Sequence, residues 1–182
     1  MRKRLSAIGI AAALACMSFT TSAHAEGLQC VTFARMFSGV QLFGDAWTWW
    51  NQAMGKYARG FTPESGSVLV FRQTGVMSHG HVSVVTHVLT DRIIQVTHAN
   101  WSPIFGRRGQ VEKDVTVVDV SPTGDWSQVK VWYDPNHNLG TRVYPTYGFV
   151  YKATQKAAGM ATQIAAAATG RNKSVKVADA SY

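Results

Sequence analysis

The chain has 182 residues, with eighteen Lys and Arg against ten Asp and Glu and a formal net charge of +8. That is enough for one domain with a proper core. It carries no basic helix and no aromatic–basic interleaving of the kind that marks a nucleic-acid surface, so no nucleic-acid partner is expected.

Residues 1–25 read as a secretory signal peptide. Arg2, Lys3 and Arg4 form its basic start, Ile8 to Met17 its apolar core, and Ala23-His24-Ala25 a small-x-small cleavage site. The apolar stretch is too short and badly flanked to span a bilayer, and no later segment reaches membrane length. No integral membrane segment is therefore expected once the leader is gone, and the location expected is periplasmic or secreted. Ala13-Leu14-Ala15-Cys16 loosely matches a lipoprotein box, with Cys16 as the acylated residue; Ala13 fits that box poorly. Removing the leader leaves 157 residues and fifteen basic against ten acidic side chains. That excess serves solubility, or attraction to an anionic surface such as a cell wall.

The expected catalytic domain, residues 26–152, starts with two expected helices. Cys30 to Phe37 would bury Val31, Ala34 and Phe37, and Gly39 would end it. Asp45 is a natural N-cap for a second helix running through Trp47, Trp49 and Trp50 to Lys56. Pro63 to Gly66 reads as a turn, Val68 to Phe71 as a short strand, and Arg72 to Gly80 as a loop. Strands follow at His81 to Val88, Ile93 to Asn100, Val115 to Val120, Gln128 to Tyr133 and Tyr147 to Tyr151. Helices first and an antiparallel meander after them predict an α+β fold. Residues 153–182 turn to Ala, Thr, Gln and Lys and are expected to be a disordered or weakly helical basic tail.

Without the leader, one cysteine remains, Cys30. A single thiol in an oxidising compartment calls for a reason, and nucleophilic chemistry is the simplest. The hairpin supplies a base. If its strands close across Leu89 to Arg92, paired positions sum to 181, which sets His81 opposite Asn100 and Ser83 opposite His98. Opposed residues share a face with Cβ atoms roughly 4.5–5.5 Å apart. A helix N-terminus and a nearby imidazolium would together lower the thiol pKa from about 8.5 to about 3.5–7.5. The roles expected are Cys30 as nucleophile, His81 as general base and acid, and Asn100 as the residue orienting the imidazole. The backbone N–H of Cys30 and the side-chain amide of Gln29 would receive the oxyanion.

Those residues resemble a known family. Gln29-Cys30-Val31-Thr32-Phe33-Ala34-Arg35 is similar to the nucleophile segment of CHAP domains, the cysteine- and histidine-dependent amidohydrolases/peptidases. Gly44-Asp45-Ala46-Trp47 with Trp50, then Pro63 to Phe71, resemble the next two blocks. Gly80 to Val85, His98-Ala99-Asn100-Trp101 and Tyr147-Gly148-Phe149 resemble the strands that follow. The resemblance spans about Leu28 to Lys152. It implies a papain-like fold with N-terminal helices packed on an antiparallel β-sheet. It also implies cleavage of amide bonds in peptidoglycan, as an amidase or as a cross-bridge endopeptidase, through an acyl-enzyme on Cys30. Peptidoglycan is then the expected partner. Many members carry an acidic residue two positions before the asparagine, where this chain has His98, which leaves His81 less polarised. Some bind calcium through an acidic loop before the cysteine. Residues 24–29 hold no such cluster, so neither metal nor cofactor is expected.

Other readings stand beside these. Cys30 could be a buried spectator or form an intermolecular disulfide. His79-Gly80-His81 evokes zinc peptidases, but no further histidine lies upstream in the mature chain. Trp47, Trp50, His98 and Trp101 are the expected lining of the substrate groove, and Arg107-Arg108 reads as a solvated turn or an anionic-glycan contact. The chain could also be a non-catalytic wall-binding or envelope-scaffolding protein, or a thiol amidase with another substrate.

Overall fold

The computed structural model describes residues 27–153 and Met160. The expected leader and nearly all of the expected tail lie outside those residues. No described helix is long and apolar enough to cross a membrane.

Chain order is α1 (Cys30–Ser38), a 3-10 turn (Ala46–Thr48), α2 (Trp49–Gln52), β1 (Arg59–Gly60), β2 (Val68–Phe71), β3 (His81–Val88), β4 (Ile93–Ala99), β5 (Val111–Asp119), β6 (Gln128–Tyr133), a second 3-10 turn (Asp134–Asn136), β7 (Asn138–Leu139) and β8 (Tyr144–Val150). Strands β2 to β6 form the expected antiparallel meander. Strand β8 then returns beside β2 and also pairs with β6, through Gln128 opposite Pro145 and Val129 opposite Tyr144. That second pairing closes the sheet.

The expected papain-like α+β arrangement, with helices packed on a sheet, is therefore corrected. The molecule is mostly a closed antiparallel β-barrel with few, short helices. Two local facts explain the difference. Asp45 stands at the N-cap of the 3-10 turn, but its carboxylate makes no capping bond and pairs with His79 Nδ1 at 2.9 Å instead, and α2 is only four residues long. Strand β8, which the pattern shows only in part, has three partners, β1, β2 and β6, rather than a free edge.

Every residue of β2 is buried because both of its faces are covered. Leu69 and Phe71 point into the barrel with Val85, Ile94, Val117, Trp126 and Phe149. Val68 and Val70 point outward with Val82 and Val84, under Phe33, Ala34 and the fully buried Trp49. Helix α1 thus lies against the outer face of β3, with Cys30 at its start. It stops at Gly39, whose φ of +75° lets its N–H return to the Arg35 carbonyl.

Gly80 controls the entry to β3. Its φ is +65°, and a Cβ there would lie 2.8 Å from Trp47 Cβ and 2.9 Å from the Phe71 carbonyl oxygen. Gly80→Ala is expected to cost about 2–4 kcal/mol, combining left-handed strain with overpacking. Thermal unfolding checks this; an unchanged midpoint would show that the turn relaxes freely.

Candidate active site

Gln29 is the extended N-cap residue of α1 and Cys30 its first helical residue. His81 opens β3, and Asn100 follows the end of β4. The fold brings Gln29, Cys30, His81, Asn100 and Trp101 to the wall of one cavity of about 820 Å³.

Within it, His81 Nε2 lies 3.0 Å from His98 Nδ1. The two rings meet edge to face, with centroids 5.0 Å apart. Trp101 stacks on His98 and leans on His81 at a centroid distance of 4.9 Å. Both histidines are buried, His98 completely. His98 Nε2 and the neighbouring Ser83 Oγ find no hydrogen-bond partner among the described residues.

The register explains the contact. Val84 pairs with Thr97 and Val85 with Val96, so the sum of 181 holds in the middle of the hairpin. Towards the turn it becomes 182, at His87 opposite Gln95, because Thr86 is an extra, bulged residue. Carried one pair beyond Val84–Thr97, the same sum sets Ser83 opposite His98, and His81 reaches His98 diagonally on the barrel's inner face.

Asn100 does not reach His81 in this way. Strand β4 ends at Ala99, and Asn100 turns into a left-handed conformation with φ of +66°. Its Nδ2 donates to Gln29 Oε1 at 2.9 Å. That contact fixes the Gln29 amide with its acceptor occupied and its NH₂ group available at the cavity wall.

The tryptophans divide. Trp101 lines the cavity. Trp47 lies beneath Gly80 instead. Trp50 stacks on Tyr147 and meets Phe61 at a tilt, with the Arg59 guanidinium 4.7 Å from its ring. His98 stands behind the wall rather than in it, in contact with His81. His79 and His81 bond different partners, Asp45 and His98.

Electrostatics also differ from the expected thiolate–imidazolium pair. Burial pushes the Cys30 thiol above its ordinary value, and the backbone N–H groups of Val82, Val31 and Cys30 only partly oppose it. Burial, then His98 and Arg108, hold His81 well below the usual histidine range, and burial takes His98 down to about 3. At neutral pH these directions leave a neutral thiol and a neutral imidazole on the wall of one cavity. Alkylation of Cys30 by iodoacetamide is accordingly expected to rise roughly tenfold per pH unit from pH 7 to pH 9, following the thiolate fraction. A rate already level below pH 7 would mark a preformed ion pair.

No motif marks Tyr133, Arg142 and Tyr144, which also line the cavity, and Arg108, expected in a solvated turn or at an anionic-glycan contact, joins them. These side chains come from strand ends and connecting segments that barrel closure gathers, and no local spacing announces that. His98, expected in the groove lining, instead contacts His81 from behind the wall, on the face that its place across from Ser83 gives it.

Among known proteins, the family model of the CHAP domain matches residues 19–100, a stretch that contains Cys30, His81, His98 and Asn100. This is the family that the sequence blocks resemble, and it points to a hydrolase acting on peptidoglycan. No curated protein and no solved structure matches the chain.

Proposed function

We infer that the CHAP domain recognised in this chain is a working cysteine hydrolase that cleaves amide bonds in peptidoglycan through an acyl-enzyme on Cys30. The observation that carries this reading is the His81–His98 contact at 3.0 Å behind the cavity that Cys30 lines.

The contact bears on which ring nitrogen acts. A base at Cys30 needs a bare nitrogen facing the cavity. With the proton on His81 Nε2, donated to His98 Nδ1, His81 Nδ1 is free to accept the thiol proton. His98 then carries its own proton on Nε2, the atom without a partner among the described residues. An unmet buried donor costs about 1–3 kcal/mol. The site bears that cost while holding His81 in the tautomer that can act as a base.

The steps follow. The Cys30 sulfur attacks the amide carbon as its proton passes to His81 Nδ1. The carbonyl oxygen becomes an oxyanion, received by the Cys30 backbone N–H and the Gln29 NH₂. Collapse breaks the C–N bond, and His81 returns the proton to the leaving amine. Water, deprotonated by His81, then hydrolyses the thioester and frees the thiol. Because neither partner is charged at rest, charge separates only as the attack proceeds. Export through residues 1–25 would bring this chemistry to the cell wall, and the fifteen basic side chains of the mature chain favour an anionic one.

Release of soluble fragments from purified sacculi, read by mass spectrometry, tests the proposal. New amine termini and free carboxyl groups at one type of amide bond support it. Sacculus binding with no fragments at all would make the chain a wall-binding protein instead.

A further inference from the structure

Part of the cavity wall lies beyond the catalytic residues. Arg108, Tyr133, Arg142 and Tyr144 come together there, from the β4–β5 connection, the end of β6, the segment before β8 and the start of β8. Tyr144 is half-buried, and its ring packs 4.9 Å from Trp101, which itself leans on His81. This patch is therefore only two ring contacts from the reacting centre. The charges of Arg108, Arg142 and Tyr133 all act on the Tyr144 hydroxyl, and that of Arg108 acts on His81 as well.

The charge of the wall is unbalanced. Arg108 is tethered by Nη1 donating to the Trp101 carbonyl, which leaves its other N–H groups unused by that contact. Neither arginine has a carboxylate partner among the described residues; the ion pairs there are His79–Asp45, His87–Asp114 and Arg92–Asp119. Asp45 is the cavity's sole lining carboxylate among the described residues, and His79 already bonds it at 2.9 Å. Two arginines thus line a cavity whose one described carboxylate is already bonded to His79. Guanidinium donors suit a carboxylate, which takes paired N–H bonds in one plane.

We propose that Arg108 and Arg142, with Tyr133 and Tyr144 beside them, form a subsite for a carboxylate of the bound peptide, so that the enzyme selects acidic stem peptides over amidated ones. The inference rests on the peptide-hydrolase reading for its ligand, but its readout is binding and needs no turnover. Arg108 touches the catalytic aromatic wall, so Arg142 is the residue to vary.

The experiment is calorimetric titration of the Cys30→Ala protein with two probes. One is a muropeptide with free carboxylates; the other is the same muropeptide with those carboxylates amidated. The free acid is expected to bind roughly 10–100-fold more tightly, as for hydrogen bonds to charged groups. Adding Arg142→Gln should remove most of that difference and leave the amidated probe's affinity unchanged. Equal affinities for the two probes, no binding of either, or an equal loss for both on Arg142→Gln would overturn the subsite. Fragment release by the wild-type protein is scored separately. Carboxylate preference without release would sink the catalytic reading alone; release without preference would sink the subsite alone.

Discussion

Cys30→Ala should end the release of soluble fragments from sacculi, with turnover falling at least about 10⁴-fold, the scale seen when a nucleophile is removed. The substitution is small. Cys30 is only half-buried, and its helix is held by Phe33 and Ala34, so the folded state should persist. Sacculus binding should persist too, since the cavity wall keeps Trp101, Arg108 and Arg142. Thermal unfolding and a pull-down assay supply those controls. Fragment release by Cys30→Ala at the wild-type rate would end the thiol mechanism. A neutral resting thiol makes this test stringent, because Cys30 does nothing electrostatic in the ground state that another group would need to replace.

The second large effect separates His98 from Asn100. His98→Leu keeps the volume of the buried ring but removes the acceptor for His81 Nε2. Its kcat is expected to fall roughly 10²–10⁴-fold with little change in KM, as when an orienting partner is lost. His98→Asn restores an acceptor and should recover part of the rate, which a merely structural role would not do. Asn100→Ala should cost at most about tenfold, because the contact it breaks holds the Gln29 amide and not the imidazole. If Asn100→Ala proved the more damaging change and His98→Leu were near neutral, the imidazole would be oriented by Asn100.

The contrast shows what the sequence could and could not convey. Alternating β-branched residues located β3 and β4, and the sum of 181 holds at Val84–Thr97 and Val85–Val96. It holds for a reason other than the one used to obtain it. The turn end runs at 182, and the bulge at Thr86 restores the value further in. The sum of 181 reaches Asn100 only by running three residues past the last ladder pair, Val84–Thr97, and a left-handed φ is not visible in spacing. The pairing of β8 with β6 was also hidden, since an antiparallel meander reads the same whether or not its last strand returns to close it. With closure went the expected helical layer and the cavity wall contributed by Tyr133, Arg142 and Tyr144. The direction of the pKa shifts was missed because a helix N-terminus is local and burial is a property of the whole packing.

The Thr86 bulge bears on how such a hairpin tolerates change in length. The facing of His81 and His98 is fixed inside the strands, and Arg92 is tied to the carbonyls of Asp119 and Ser121. Insertions between Leu89 and Asp91, at the exposed tip, can therefore accumulate across related sequences while the site stays in step. Loss of the single residue Thr86 would carry one ring of the pair to the opposite face or force the turn to re-form. Length variation among relatives should thus collect at the tip and be absent at the bulge.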